Sequence, residues 1–292
     1  MFSIKTESLE LKLEVVPVNS LLIHEEVLPN LAHKLLLEFK NWNNLQNPII
    51  VDENHIVLDG NHRAYAFKKL RFTYIPVCKI DYFHEKAELR YWFRVLDGVK
   101  NIAVVERVAK ELGGIVQEVG DKERLNEILD LNPLSCGIQK RDYCASLTFP
   151  RDTVKDAVDA YGALEKIQKR LTALGIEVRF VPCQHITEGD FSNTLKDDEV
   201  VLWTPRMTKK MVVDAAKRGR VFAPKSTRHC IPARPLNVNV PTTWFKEEVT
   251  LDEMNDRFRR FLEGKRLKRF GPGQVIEGRY YEEEVFVFYD KA

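Results

Sequence analysis

Five consecutive residues, Asp59, Gly60, Asn61, His62 and Arg63, combine hydrogen-bonding groups with a glycine where a predicted strand meets a predicted helix. Glycine tolerates the positive φ of a tight turn, and the first backbone N–H groups of a helix point out of its N-terminus. With the helix dipole, such a turn is suited to bind an anion, and a phosphate group is the typical ligand. The alternative is a β-hairpin followed by a helix that Asp59 and Asn61 merely cap.

A second row of donors is formed by Lys225, Ser226, Thr227, Arg228 and His229. These side chains carry an ammonium group, two hydroxyls, a guanidinium group and an imidazole. Burying so many donors costs free energy unless an anion accepts their hydrogen bonds. Apolar residues on both sides favour a loop that lies against the protein body, so we predict anion binding. A solvated basic loop is the other interpretation.

A candidate proton acceptor is Glu25, in the sequence Ile-His-Glu-Glu between the first predicted strand and the first predicted helix. A glutamate that is partly shielded from water has a raised pKa and can accept the proton of a hydroxyl group. If these elements pack together, the carboxylate can reach the turn at Asp59 and Gly60. A solvated surface glutamate is the competing interpretation, and the residues by themselves leave both open.

Hydrophobic periodicity and turn residues predict the elements that position these groups. The predicted strands are 11–18, 48–51, 56–58, 74–81, 115–119, 143–149, 176–181, 200–203 and 280–289. The predicted helices are 29–42, 62–70, 99–112, 122–131, 153–174, 208–218 and 251–262. This order predicts an α+β or α/β protein with domains at 1–98 and 99–245 and a C-terminal extension at 246–292.

Composition restricts the class of protein. The 292 residues are 44% hydrophobic and 30% charged, and the formal net charge is +2. The hydrophobic fraction supports a buried core, the charged fraction is compatible with a thermophile's surface, and the net charge does not demand a nucleic-acid partner. The five cysteines form no Cys-x-x-Cys pair, so we predict mostly buried thiols rather than a zinc site or disulfides. Neither a signal peptide nor a membrane span is indicated, and we expect a cytoplasmic protein.

Three segments resemble known proteins. The sequence Gly-Asn-His-Arg at 60–63, after a predicted hairpin, resembles the Gly-x-His-Arg signature of the ParB/sulfiredoxin-like superfamily. The sequence Pro-Lys-Ser-Thr-Arg-His at 224–229, preceded by Gly-Arg-Val-Phe, resembles the C-terminal motif of the archaeal ADP-dependent free L-serine kinases. His24-Glu25 and Trp92 fall at places that match that family. The resemblance predicts a ParB/sulfiredoxin-like domain at 1–98, followed by a second α/β domain that carries the Lys-Ser-Thr-Arg-His loop.

The resemblance implies a role for each candidate residue. Glu25 would be the general base that takes the proton of the serine hydroxyl, and Asp59 would be a second essential carboxylate at the reacting phosphate or its metal. The residues that would bind the phosphates or the substrate are Gly60, Asn61, His62, Arg63, Lys225, Ser226, Thr227, Arg228 and His229. Trp92 would line the amino-acid pocket. No dedicated metal-ligand set is predicted.

The predicted activity is transfer of a phosphoryl group from a nucleotide to the hydroxyl of free L-serine, with Mg²⁺ as the accompanying cation. The resemblance favours ADP as the donor and allows ATP. Phosphoryl transfer needs positioning and charge neutralisation, which an anion-binding helix start, a basic loop and one carboxylate supply. The chain lacks a Walker loop and the motifs of protein kinases, so those kinase classes are disfavoured.

One departure from the serine kinases is Asn61, where that family has a histidine. Threonine, homoserine or another hydroxylated small molecule therefore stays open as the acceptor. Sulfiredoxin-like repair needs a nucleophilic cysteine at this position and is disfavoured. A ParB-like nucleotide-binding protein with a DNA-associated or regulatory role is the remaining alternative, although no helix-turn-helix with a basic recognition helix is indicated.

The sequence leaves several properties open. The oligomeric state, the pathway and the role of residues 246–292 cannot be read from the residues. The basic stretch 265–269, Lys-Arg-Leu-Lys-Arg, is interpreted as a solvated surface or an oligomer contact. The expected partners are a nucleotide and a small hydroxylated substrate, without a membrane.

Overall fold

The computed structural model describes residues 1–7, 9–41, 44–141, 143–182 and 195–291. In chain order its helices are α1 (Pro29–Asn41), α2 (Asn61–Lys69), α3 (Ala103–Glu111), α4 (Lys122–Leu131), α5 (Ala157–Ala173), α6 (Lys209–Lys217) and α7 (Leu251–Glu263). The first ten strands are β1 (Phe2–Lys5), β2 (Glu10–Pro17), β3 (Asn44–Leu45), β4 (Ile49–Val51), β5 (Val57–Asp59), β6 (Tyr74–Lys79), β7 (Glu88–Arg90), β8 (Trp92–Asp97), β9 (Ile115–Val119) and β10 (Cys136–Lys140). The others are β11 (Tyr143–Thr148), β12 (Glu177–Pro182), β13 (Val200–Trp203), β14 (Arg228–Cys230), β15 (Ala233–Leu236), β16 (Val240–Pro241), β17 (Lys265–Phe270), β18 (Gln274–Ile276), β19 (Arg279–Tyr281) and β20 (Glu284–Asp290).

The chain forms two compact units. Unit 1 consists of Met1–Glu88 together with His229–Ala292, and unit 2 consists of Leu89–Arg228. The predicted boundaries at 98 and 245 therefore fall inside unit 2 and unit 1, respectively. Residues 246–292 belong to the same compact unit as the N-terminal residues. The predicted mixed α and β fold is confirmed, with helices and sheets in both units.

The central sheet of unit 1 has the strand order β1-β2-β6-β4-β5. Strands β4 and β6 are parallel, and the other neighbours are antiparallel. The strands β4 and β6 are almost entirely buried, as expected of continuous apolar runs such as Ile-Ile-Val. Helices α1 and α2 pack together through the edge-on rings of Phe39 and Phe67. This core places the junction between β5 and α2 at one edge of the sheet.

The C-terminal residues of unit 1 extend this core rather than standing apart from it. Strands β15, β20 and β17 form a second sheet, in which β15 and β20 are parallel. Helix α7 begins with a capping box between Thr250 and Glu253. From α7, the Asn255 amide accepts a hydrogen bond from the Val15 N–H at 2.8 Å and donates one to the Val15 carbonyl at 2.9 Å. The basic stretch that was expected to be solvated forms most of β17, and its side chains are largely exposed.

Unit 2 is built on a six-stranded sheet with the order β12-β8-β13-β10-β11-β9. All of its pairings are antiparallel. One buried cluster joins the sheet to α3 and α5, and a second joins it to Leu125 and Leu129 of α4. Helices therefore cover both faces of the sheet, which accounts for the burial of its four inner strands, whereas the edge strands β9 and β12 are partly or fully exposed. The predicted elements 115–119, 122–131 and 200–203 match residue for residue.

Four of the five cysteines lie within the described residues, and all four are free thiols. Cys78, Cys136 and Cys144 are buried and Cys230 is partly buried, whereas Cys183 lies outside the described residues. Burial raises the pKa of Cys78 and of Cys136 to about 12, which makes both thiols poor nucleophiles. Within the described residues, every helix is too short or too polar to cross a membrane.

Candidate active site

The junction between β5 and α2 is a tight turn that only glycine fits well. Gly60 has φ 102° and ψ 26° and occupies the N-cap position of α2. A Cβ atom there would lie 2.6 Å from Cγ2 of Ile49, which is closer than real carbon atoms approach. Helix α2 begins at Asn61, has no side-chain cap and has no acidic residue in its first turn. The expectation that Asn61 caps the helix is therefore wrong, and the helix start keeps its positive end uncovered by carboxylates of that turn.

Asn61 and His62 play different parts in this first turn. The Oδ1 atom of Asn61 is buried, and no described residue donates a hydrogen bond to it. A buried polar atom without a partner costs free energy, so this amide oxygen is a natural contact for a ligand group that donates a hydrogen bond. The Nε2 atom of His62 instead accepts a hydrogen bond from the Leu28 N–H at 3.0 Å. His62 therefore fixes the approach to α1 in addition to any contact that it makes with an anion.

The Arg63 side chain turns back onto the protein. Its Nη1 group donates to the carbonyl oxygens of Asn47 at 2.7 Å and Pro48 at 3.1 Å. Its Nη2 group donates to Oδ2 of Asp59 at 3.3 Å. Burial lowers the pKa of Arg63, although the Asp59 carboxylate opposes that change. These three acceptors hold the loop before β4 against the turn, so much of the donor capacity of Arg63 is used within the protein.

Asp59 lies between two arginines. The same Oδ2 atom that meets Arg63 accepts a hydrogen bond from Arg234 at 3.0 Å, and Arg234 also forms an ion pair with Glu283. Burial by itself would raise the pKa of Asp59, but the charges of Arg234 and Arg63 outweigh it and lower the pKa to about 2. Asp59 is therefore a permanent negative charge near neutral pH and a poor proton acceptor. Arg234 was missed in the sequence, where a charged residue within a short apolar strand was its only signal.

Glu25 belongs to a segment that pairs with the chain at the start of β5, the strand that carries Asp59. Leu22 and Ile56 form a parallel bridge, with backbone hydrogen bonds from Leu22 N to His55 O at 3.0 Å and from Val57 N to Leu22 O at 2.9 Å. Glu25 follows Leu22 by three residues, as Asp59 follows Ile56 by three. Because the two segments are parallel, this pairing directs Glu25 toward the end of β5 where the turn begins. The side chain of Glu25 is partly buried.

His24, the residue before Glu25, belongs to a cluster of three rings with Tyr82 and His229. His24 is fully buried, and its ring stands edge-on to that of His229 with the centroids 5.1 Å apart. The Nε2 atom of His229 is hydrogen-bonded to the Tyr82 hydroxyl at 2.9 Å. Burial lowers the pKa of His24 to about 4, so His24 is neutral at pH 7. His229 thus belongs to a packed cluster in unit 1. Any contact with phosphate that His229 makes would be made from this cluster.

The remaining residues of the basic loop lie in unit 2, where Trp92 supports them. Lys225 has a positive φ of 61°, an uncommon conformation for a residue other than glycine. Its Nζ atom lies 4.5 Å from the centre of the Trp92 ring, and the indole N–H donates to the Thr227 carbonyl at 3.0 Å. Ser226 is fully buried, and its hydroxyl donates to the Ala223 carbonyl at 2.6 Å. Trp92 and Ser226 therefore shape this loop from within the protein.

The structure thus separates the predicted site residues into two sets. Unit 1 contains Glu25, Asp59, Gly60, Asn61, His62, Arg63 and His229, and unit 2 contains Trp92, Lys225, Ser226, Thr227 and Arg228. Within unit 1 the turn and the Glu25 segment lie at one edge of the sheet. Within unit 2 the loop and Trp92 are in direct contact.

A metal held by the protein does not fit the groups at the turn. The described residues contain no group of three or more His, Cys, Asp or Glu side chains arranged to hold a metal ion. The Oδ2 atom of Asp59 already accepts from two guanidinium groups. Mg²⁺ prefers carboxylates, water and substrate phosphates as ligands. The part of Asp59 predicted at a metal is therefore not supported by this arrangement.

Comparison with known proteins places these observations in context. No family model matches the chain. The chain is 28% identical to an ATP-dependent L-serine kinase of Staphylothermus marinus over 242 residues, which cover 78% of this chain and 88% of that protein. It is 24% identical to the ADP-dependent L-serine kinase SerK of Thermococcus kodakarensis over 193 residues, which cover 65% of this chain and 72% of that protein. A ParB-like protein of Sulfolobus acidocaldarius is 28% identical over 219 residues, or 75% of this chain and 90% of that protein.

The fold agrees with these sequence relatives. A solved structure of a free serine kinase in complex with AMP superposes with a TM-score of 0.64, at 18% identity. The match covers 80% of this chain and 93% of that chain. The predicted resemblance to free L-serine kinases is confirmed in both sequence and fold, and the resemblance to ParB-like proteins is confirmed in sequence.

Proposed function

We propose that this protein is a kinase that transfers a phosphoryl group from a nucleotide to the hydroxyl of free L-serine and so forms O-phospho-L-serine. The observation that carries the proposal is the β5–α2 turn. There Gly60 opens an uncapped helix start, and the parallel pairing of Leu22 with Ile56 directs Glu25 toward the same edge. An anion site and a carboxylate at one edge are the two elements that phosphoryl transfer to an alcohol requires.

In the proposed reaction the serine hydroxyl oxygen attacks the terminal phosphorus of the nucleotide. The new O–P bond forms as the bond from that phosphorus to the nucleotide's bridging oxygen breaks, so ATP leaves as ADP, or ADP leaves as AMP. The hydroxyl proton passes to Glu25. Asp59 is a poor candidate for this step because its two arginine partners keep its pKa at about 2. Asp59 instead orients Arg63 and Arg234.

The phosphate groups are assigned to donors of two kinds. At the helix start, the backbone N–H groups that follow Gly60 and the side-chain N–H groups of Asn61 would bind the transferred group. Within unit 2, Lys225, Thr227 and Arg228 are proposed as donors to phosphate, on a loop whose conformation Trp92 supports. Trp92 is therefore proposed to position this loop, whereas the resemblance implied that it lines the amino-acid pocket. Mg²⁺ would arrive on the nucleotide, since magnesium usually binds through substrate phosphates and water.

The donor is proposed to be ADP or ATP. The names of the relatives include both, with the ATP-dependent kinase of S. marinus and the ADP-dependent kinase of T. kodakarensis. The helix start recognises phosphate charge and does not distinguish the two nucleotides by itself. A direct assay of both donors is therefore part of the test.

The test is a matrix of donors and acceptors. Purified protein and magnesium are incubated with ADP or ATP, together with serine, threonine or homoserine, and phosphorylated amino acids are measured by mass spectrometry. Glu25→Gln keeps the shape of the side chain but removes the proton acceptor, so the rate should fall by about 100-fold or more. Glu26→Gln at the exposed neighbouring residue is the matched control and should retain activity. Asp59→Asn should also lose activity, because both arginines lose their anchor.

The results distinguish three conclusions. Phosphoserine from the wild type that is lost with Glu25→Gln but kept with Glu26→Gln supports the proposal. Phosphothreonine or phosphohomoserine as the main product would keep the kinase and replace the acceptor. No phosphorylated product from any pair, while the nucleotide still binds, would reject the kinase.

The second candidate function is a ParB-like nucleotide-dependent regulator that associates with DNA. The observation in its favour is the ParB-like relative of S. acidocaldarius. A protein of that kind should bind random duplex DNA with an affinity that falls steeply as salt rises. Binding that responds to nucleotide, in a protein without kinase activity, would favour this candidate over the first.

A further inference from the structure

A cavity of about 270 Å³ lies within unit 1 behind the Asp59 side chain. Its walls come from α1, from the loop before β4, from β15 and from the β18–β19 hairpin. Its charged residues are Asp59, Arg63, Arg234, Arg279 and Glu38. A water molecule occupies about 30 Å³ in the liquid, so the cavity has room for a phosphate group and several waters. Glu25, Asn61 and His62 do not line it.

The two carboxylates that line the cavity, Asp59 and Glu38, are already paired with cations. Asp59 is shared by Arg63 and Arg234, while Glu283 pairs with the other edge of Arg234. Glu38 lies 3.9 Å from Lys34 in an ion pair on α1. Of the charged residues that line the cavity, three are arginines and two are carboxylates, so the lining has one positive charge in excess. Among the described residues, Arg279 is the lining arginine that forms no ion pair.

Within the described residues, Arg279 differs from the other two arginines of the cavity in its contacts. No hydrogen bond or ion pair holds its side chain there, and its guanidinium group lies over the ring of Tyr281 at 5.0 Å from the centroid. The aromatic face orients the group without occupying its N–H donors. Arg279 and Tyr281 both belong to β19, and both line the cavity. An arginine held in this way beside two others is suited to bind a dianion through paired hydrogen bonds.

The electrostatic surroundings agree with this geometry. Burial is the main cause that lowers the pKa of Arg63, and the charges of Arg234 and Arg279 add to it. Asp59 acts in the opposite direction, and all three guanidinium groups interact with this one carboxylate. An anion in the cavity would reduce the repulsion among the three guanidinium groups.

We propose that this cavity is a second anion site, which binds the phosphate group of a small molecule with Arg279 of the C-terminal hairpin as its principal ligand. Residues 246–292 then contribute a binding residue as well as part of the fold. Asp59 is common to this site and to the proposed kinase reaction. The inference nevertheless stands apart from that reaction, because a phosphate group binds here whether or not phosphoryl transfer occurs.

The test measures binding in the absence of serine and catalysis. Isothermal titration of the full chain uses three ligands that share the phosphate group, namely inorganic phosphate, O-phospho-L-serine and AMP. Arg279→Ala should weaken binding by about tenfold or more, since it removes charge-assisted hydrogen bonds. The affinity of Arg279→Lys should lie between those of the wild type and Arg279→Ala, because an ammonium group cannot form the paired contacts.

Arg266→Ala is the matched control. Arg266 is also an exposed arginine of the C-terminal strands and lies over a tyrosine, with its guanidinium carbon 5.7 Å from the ring centre of Tyr289. It does not line the cavity. Both variants remove one positive charge, so a general effect of net charge would appear in both. Thermal unfolding of each variant checks that the fold is retained.

A loss confined to Arg279→Ala supports the site, and the ligand that shows it identifies the source of the phosphate group. Equal losses in Arg279→Ala and Arg266→Ala would overturn the proposal, as would unchanged binding of all three ligands. These results do not depend on the kinase assay. A protein without kinase activity can still bind phosphate at Arg279, and an active kinase can lack this site.

Discussion

The buried ring of His24 should make the stability of this protein depend on pH in a way that one substitution can isolate. Burial lowers the pKa of His24 from the usual 6.5 to about 4. In the unfolded chain His24 takes up a proton as the pH falls through 6.5, whereas the folded protein resists doing so until about pH 4. The unfolded state thus binds more protons in this window, and the free energy of unfolding decreases as the pH decreases.

The size of the effect follows from the two pKa values. Between pH 7 and pH 5 the linkage relation gives a loss of about 2 kcal/mol, and the full difference reaches about 3 kcal/mol near pH 4. Burial also lowers the pKa of His55, helped by the charge of Lys79, so His55 adds a change of the same sign. Comparison with a variant that lacks only His24 separates the two contributions.

Urea unfolding at pH 7, 6 and 5 of the wild type, His24→Gln and His33→Gln measures this difference. His24→Gln should be less stable at pH 7, because it loses the ring contact with His229, but it should lose about 2 kcal/mol less than the wild type on going to pH 5. His33 is exposed on α1, and the same substitution there should leave the wild-type slope unchanged. Equal pH slopes in the wild type and His24→Gln would refute the reasoning.

Three further predictions concern the site. Gly60→Ala should destabilise the protein by about 2 kcal/mol or more, since an alanine meets both the positive φ and the Ile49 side chain, and unchanged urea unfolding would contradict this. Trp92→Phe keeps the ring but removes the N–H that holds Thr227, so nucleotide affinity should fall about fivefold with little change in the KM for serine. A rise in the serine KM alone would instead favour the amino-acid pocket that the resemblance implies. Asn61→Ala removes a buried acceptor that lacks a partner among the described residues, so stability should stay equal or rise by about 1 kcal/mol while nucleotide binding weakens. Tighter nucleotide binding in a titration would argue against a ligand contact at Asn61.

The parts of the fold that were predictable are those with complete local signals. Residues 122–131 have an N-cap aspartate at Asp121 and a clear helical period, and the helix is found at those residues. Strand β10 was missed, because Cys-Gly-Ile-Gln-Lys has a glycine and polar residues in place of a β-branched run. Strand β17 was missed because its basic residues suggested a solvated stretch, although pairing with β20 supplies its backbone hydrogen bonds.

The candidate site also has features that could be predicted from the sequence and features that could not. Gly60 and the helix start could be predicted, since glycine and the strand-to-helix change are local features. The pairing of Asp59 with Arg234 could not, because 175 residues separate them along the chain and nothing near Arg234 marks it as a partner. Trp92 was placed by resemblance alone, and only the structure gives its contacts with Lys225 and Thr227. Long-range charge pairing thus set the limit of the sequence analysis.

The discontinuity of unit 1 has a consequence for the order in which the protein is made. Residues 89–228 emerge from the ribosome as one continuous stretch and can complete the sheet of unit 2 before His229–Ala292 have emerged. Asp59 is made 175 residues ahead of Arg234. At about 5–20 residues per second, its carboxylate remains without that partner for about 10–35 seconds. The edge of unit 1 that carries the candidate site is therefore finished last, when β15 and the C-terminal strands arrive.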